Sequence, residues 1–170
     1  MISMRKILLI AAFVSAFALV IVGCTPHAQI VALGASNFAG QGVSSSDAFP
    51  AQLERMLVAK GYNVRVANAG ISGDTNEGML SRLDWAVPDG TKIVILDVSG
   101  GTFNARGKHL GDQATELAKI MDRLSNRHIQ IIPLSARSIE QKQADGIHLT
   151  VEGHTIAATQ LPSVIQALPH

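Results

Sequence analysis

Short apolar runs alternate along this chain with longer stretches whose apolar residues recur every three or four positions, the pattern of strands and amphipathic helices in turn. Ile30-Val31-Ala32-Leu33 is an uninterrupted apolar run that reads as a buried strand. It runs into Gly34-Ala35-Ser36-Asn37, a tight turn that lifts Ser36 clear of the sheet edge. Residues 38–46 are rich in glycine and serine and read as a loop. A helix is then expected with Asp47 as its cap, Pro50 in its first turn, Phe49, Leu53, Met56 and Leu57 along one side, and Gly61 closing it. The alternation in residues 63–67 predicts a second strand, followed by a loop over 68–75 whose glycines, Gly70 and Gly73, suggest unusual backbone angles or close approach to a ligand.

Further on, Met79, Leu80, Leu83 and Val87 place a helix over 76–87, which Pro88-Asp89-Gly90 stops. Ile93-Val94-Ile95-Leu96 reads as a strand buried on both faces and leads into a third glycine-bearing loop over 99–104. Leu110, Ala114, Leu117, Met121 and Leu124 form the inward stripe of a longer helix, and Ile129-Gln130-Ile131-Ile132 a fourth strand. A last helix should begin near Thr150, with Glu152 in its first turn and Pro162 kinking or restarting it. Strand and helix thus alternate four times, which predicts an α/β fold: a three-layer α/β/α sandwich on a mostly parallel, doubly wound sheet. Ser36, Gly70 and the 99–104 loop each follow a strand and fall on the edge where such sheets bind ligands.

Composition changes this picture mainly at the amino terminus. The hydrophobic fraction of 47% over 170 residues draws partly on a run from Ile7 to Val22, which Arg5 and Lys6 precede. Residues 1–28 therefore read as a signal peptide or a lipoprotein signal with a short tether, and 29–170 as one folded domain. Ile21-Val22-Gly23-Cys24 resembles a bacterial lipoprotein box, which would lipidate Cys24. Ordinary secretion with cleavage near Ala28, and a retained anchor, stay open beside it. Export to a bacterial periplasm, with or without membrane attachment through the N-terminus, is the expected location, and secretion is the alternative. A net charge of +1 and pI near 8.0, with no basic stripe, argue against a nucleic-acid partner. One cysteine allows no internal disulfide, and the histidines show no metal-ligand spacing. Residues 34–40 lack a dinucleotide fingerprint, so no cofactor is expected, and nothing requires more than a monomer.

The candidate chemistry joins the first turn to the far end of the chain. A serine hydroxyl needs a base to take its proton and an oriented third group to hold that base. Asp145-Gly146-Ile147-His148, just before the last helix, supplies both, since residues three apart in a turn can face a common point. Together with Asn68-Ala69-Gly70 and Ser72-Gly73-Asp74-Thr75, the Ser36 turn and the block from Asp145 to Thr150 resemble successive blocks of the GDSL-type, or SGNH, hydrolase family. The likeness spans nearly all of 29–170 and is greatest to small bacterial secreted members of the thioesterase and lysophospholipase type. The first block is looser, with Ala35-Ser36-Asn37 where Asp-Ser-Leu is usual. The resemblance implies a flavodoxin-like sandwich that hydrolyses esters or thioesters through an acyl-enzyme. Ser36 would attack, His148 would act as base and then acid, Asp145 would orient it, and the N–H groups of Ser36 and Gly70 would face the oxyanion.

The third block departs from the family's Gly-x-Asn-Asp, placing Thr102 where the asparagine donor belongs and Phe103 where the aspartate belongs, with Asn104 two residues on. Thr102 donates through its hydroxyl, a reshaped loop brings Asn104 in, or the donor is missing; the longer amide favours Asn104. Losing such a donor typically costs about a hundred- to a thousand-fold in turnover. Asp74 and Thr75 are expected to cap the second helix. The main rival to a serine esterase is a catalytically impaired module of the same fold that binds acylated lipids or glycans. A structural envelope lipoprotein is a third reading. So short a chain leaves little room for a lid, which predicts an open, shallow site for small or accessible esters.

Overall fold

The computed structural model describes residues 30–99, 112–161, 164 and 166. The expected leader with Cys24, the positions Thr102, Asn104 and Leu110, and the Pro162 kink all lie outside the described residues. A parallel sheet of four strands is ordered β2-β1-β3-β4, with β1 at Ile30–Gly34, β2 at Val66–Gly70, β3 at Ile93–Asp97 and β4 at Gln130–Leu134. The two central strands are buried at every position, as their unbroken apolar runs require. Alternate residues feed opposite layers. Ile30, Ala32, Ile93 and Ile95 pack with α2 (Phe49–Ala59) and α6 (Val151–Thr159), whereas Val31, Leu33, Val94 and Leu96 pack with α3 (Asn76–Ser81), α4 (Leu83–Ala86) and α5 (Gln113–Asn126). This is the three-layer α/β/α sandwich.

Several local expectations are corrected. The second strand begins at Val66, not Asn63, so Gly70 ends a strand and is not part of a loop. The fourth strand extends to Leu134 through Pro133, tolerated because β4 is an edge strand. Residues 38–46 are not all loop, since a short helix α1 (Ser36–Ala39) starts at Ser36 itself. The helix expected over 76–87 is broken at Arg82 into α3 and α4. In α5 the inward stripe is Leu117, Ile120 and Leu124, while Ala114 and Met121 face solvent. Both stripes share Leu117 and Leu124, and the spacing alone leaves the intervening residue ambiguous by about a hundred degrees of rotation.

Capping follows the same pattern of agreement and correction. Thr75 and Thr150 cap α3 and α6, their hydroxyls accepting from the N–H groups of Gly78 at 3.0 Å and Gly153 at 3.2 Å. Asp74 does not cap; it pairs with Arg82 at 2.8 Å. Asp47 does not cap α2 either, because Ser44 Oγ holds its carboxylate at 2.6 Å and Ala48 is the N-cap residue. The first N–H of α2, that of Phe49, donates instead to Nδ1 of His154 on α6, at 3.3 Å. A side chain more than a hundred positions away thus does the work of a local cap.

Candidate active site

Residues 141–150 fold back on themselves as a tight hairpin. Gln143 N–H donates to the His148 carbonyl at 2.7 Å and Thr150 N–H to that of Gln141 at 3.0 Å, while Gly146 turns the chain at φ +67°. The turn brings Asp145 and His148 together, with Oδ2 at 2.5 Å from the ring Nδ1. The other carboxylate oxygen accepts from the backbone N–H groups of Ile147 at 2.9 Å and His148 at 3.0 Å. The N–H groups of His148 and Ile147, then the His148 ring, hold the Asp145 carboxyl down at about 2. A carboxylate so placed fixes Nδ1 as the protonated nitrogen and leaves Nε2 free to accept a proton. His148 is buried, whereas Asp145 lies at the surface.

Ser36 comes to this loop through its neighbour. The Asn37 carboxamide donates to the Ile147 carbonyl at 3.2 Å and accepts from the Leu149 N–H at 2.8 Å, so it grips the backbone on both sides of His148. Gln143 adds a second tie, donating to the carbonyls of Gln41 at 2.9 Å and Leu149 at 2.7 Å. The nucleophile candidate and the base candidate therefore sit on segments stitched together by side chains. Ser36 is half-buried and, among the described residues, its hydroxyl makes no hydrogen bond, so none joins it directly to His148. Catalytic contacts of this kind often tighten only with substrate bound.

Gly70 has its N–H and its missing side chain both accounted for by its surroundings. Its N–H already donates to Asn68 Oδ1 at 2.9 Å, and its missing side chain is explained by α1, whose Ala39 nitrogen would stand 2.2 Å from a Cβ there. Three residues on, Gly73 holds φ +80°, a conformation that favours glycine, and its N–H has no partner among the described residues. The loop that carries it is tied over the end of β1 by the Ile71 N–H, which donates to the Gly34 carbonyl at 3.1 Å. The Ser36 N–H, at the first position of α1, is likewise unpartnered among the described residues. Among the described residues, Ser36 and Gly73, not Ser36 and Gly70, thus offer unpartnered backbone donors. Thr102 and Asn104, the two candidates for a further donor, lie outside the described residues.

Sequence reasoning missed Asn37, Arg82, Asp97 and His154, and each touches a residue far along the chain. Asn37 carried one signal: a polar amide directly after Ser36, where the first block of the resembled family usually has leucine. Among the described residues no group of three or more His, Cys, Asp or Glu could hold a metal ion, and no helix is long and apolar enough to cross a membrane.

With this geometry in place, comparison with known proteins is specific. Residues 30–140 match the family model described as GDSL-like Lipase/Acylhydrolase, a span that stops just before the Asp145–His148 hairpin. Esterase TesA of Pseudomonas aeruginosa is 35% identical over 78 residues, which are 46% of this chain and 39% of that protein. The chain thus aligns with well under half the length of that curated relative. A crystal structure of TesA superposes with a TM-score of 0.71 at 22% identity, covering 82% of this chain and 99% of the other, a likeness of fold. AlinE4, an SGNH-hydrolase family esterase, superposes at 0.58 with 26% identity over 85% of this chain and 98% of its own.

Proposed function

The chain belongs to the GDSL-like Lipase/Acylhydrolase family, and on that premise we propose that it is a serine esterase hydrolysing carboxylic ester or thioester bonds through an acyl-enzyme. The observation that carries this reading is the Asp145–His148 pair, closed at 2.5 Å and bound through Asn37 to the turn that bears Ser36. In the first half-reaction Ser36 Oγ attacks the substrate carbonyl while His148 Nε2 takes its proton. Asp145 holds the ring and stabilises the imidazolium that forms. The N–H groups of Ser36 and Gly73 face the oxyanion. Collapse of the tetrahedral intermediate expels the alcohol or thiol, which His148 protonates. Water, deprotonated by His148, then attacks the acyl carbon, and collapse of the second tetrahedral intermediate breaks the bond to Oγ, releasing the carboxylic acid while His148 returns the proton to Ser36.

The apolar run before Cys24 supports action outside the cytoplasm, in the periplasm or at the membrane face. Ile71 and Ile147, each more than two-fifths exposed, lie on the two loops that flank Ser36 and offer apolar surface to a short acyl group. The test is hydrolysis of p-nitrophenyl acetate and capture by a fluorophosphonate ester. Wild type should react in both assays, and Ser36→Ala in neither. Folded wild type that neither turns over nor is labelled, across several acyl lengths, returns the fold to its rival role as a binding module for acylated lipids or glycans, which the departure at Thr102 and Phe103 favours.

A further inference from the structure

The peptide between Gly34 and Ala35, the last one before Ser36, is gripped at both ends by buried charged side chains. Its carbonyl accepts from Arg82 Nη2 at 3.2 Å, and its N–H donates to Asp97 Oδ2 at 3.3 Å. Arg82 is 6% exposed and Asp97 8%, so both groups have given up most of their water. Neither is accounted for as a simple ion pair. Asp97 has no cationic partner among the described residues. Arg82 is held through Nε by Asp74 at 2.8 Å and lies over the Trp85 ring at 5.7 Å, yet it directs Nη2 at the Gly34 carbonyl and leaves Nη1 without a partner among the described residues.

The polarity of the arrangement matches the peptide. A guanidinium faces the negative oxygen and a carboxylate faces the positive N–H, so both charges act on the same dipole in the same sense. The carboxylate is also the one side chain of its size that satisfies both of its donors. Oδ2 accepts from Ala35 and Oδ1 from the Ser99 N–H at 2.9 Å, whereas an asparagine would turn an NH₂ donor against one of them. We infer that Arg82 and Asp97 are positioning residues that orient the Gly34–Ala35 peptide and thereby aim Ser36 Oγ and the Ser36 N–H. The inference rests on the proposed role of Ser36. It predicts losses in the chemical step and not in substrate binding, because misdirecting a nucleophile by about 1 Å costs on the order of a hundredfold in rate.

The experiment measures kcat and KM for p-nitrophenyl acetate in Asp97→Ala, Asp97→Asn, Arg82→Met, Arg82→Lys and Ser36→Ala, with the melting temperature of each and the exchange rate of the Ala35 amide by NMR. In Asp97→Ala and Arg82→Met, kcat should fall about ten- to a hundredfold with KM within about twofold of wild type. Asp97→Asn and Arg82→Lys, which keep one acceptor or one cationic donor, should recover part of the loss. The Ala35 amide should exchange faster in Asp97→Ala and not in Ser36→Ala. The inference is overturned if kcat holds within about twofold in both truncations. It is equally overturned if the conservative variants fall as far as the truncations, in step with lost melting temperature, which marks a merely structural pair. A wild type that hydrolyses nothing ends the proposed function instead; the Ala35 exchange then decides the clamp alone, and no acceleration in Asp97→Ala overturns it. Should Asp97→Ala fail to fold, the Arg82 pair and Asp97→Asn decide it.

Discussion

At the scale of single residues, the site depends on contacts that join side chains to distant backbone. Asn37 is the clearest case, since one carboxamide spends a donor and an acceptor on the two peptides flanking His148, at 3.2 and 2.8 Å. Replacing it by Leu keeps the size and deletes both bonds, leaving the Leu149 N–H to seek another acceptor. Asn37→Leu should therefore lower kcat by about tenfold or more through loosened Ser36–His148 geometry, with a smaller effect on KM. Steady-state kinetics beside a melting curve checks this, and kcat within about twofold of wild type would show that the hairpin holds its place without Asn37. Gly70 and Gly73 carry the same lesson in reverse. Both stand in one glycine-bearing segment, but a hydrogen bond to Asn68 occupies the first, while the N–H of the second has no partner among the described residues and its backbone is left-handed.

Among the elements, α5 separates what periodicity can say from what it cannot. Its apolar residues fit one stripe through Ala114 and Met121 and another through Ile120, and only the sheet face chooses between them. Ile120 is fully buried against the layer of Val94 and Leu96, whereas Met121 is 40% exposed. Ile120→Ala should cost about 2–5 kcal/mol of stability, by lost transfer energy and the cavity left behind. Met121→Ala should stay within about 0.5 kcal/mol. Urea unfolding of the two variants tests the assignment, and equal costs would restore the stripe read from spacing. The entry into α2 makes a related point, because its first N–H is satisfied by His154 from α6, so the packing of those two helices also completes a terminus.

For the whole molecule, these groups set how stability responds to acid. Burial pushes the His154 pKa down, its Nδ1 being needed as an acceptor in the neutral ring. A group whose folded value lies below its unfolded one contributes stability that is complete above the unfolded value, near 6.5 here, and is lost as pH falls toward the folded value. Asp145 acts in the same sense lower down, between its ordinary 3.8 and about 2. Melting temperature should thus fall in a first step below about pH 6.5 and again below pH 4, and His154→Gln, which cannot take up a proton, should flatten the first step. A flat profile from pH 7 to 5 would rule out His154 as a buried neutral acceptor.

What the amino-acid sequence determined by itself is whatever depends on near neighbours. Unbroken runs such as Ile93–Leu96 can be satisfied only between two helical layers, Thr75 and Thr150 cap the helices they precede, and Asp145 reaches His148 within one turn. Those local facts were enough to read the sandwich and the pair. Only the tertiary structure decided which face of α5 is inward, and that Asn37, Arg82, Asp97 and His154 hold the site and the helix entering it. The reason is that the hydrogen bonds of these four residues to distant backbone join segments from 48 to 112 positions apart. A hydrogen bond across such a distance leaves no period or spacing in the chain, and exists only once the sheet has brought the strand ends together.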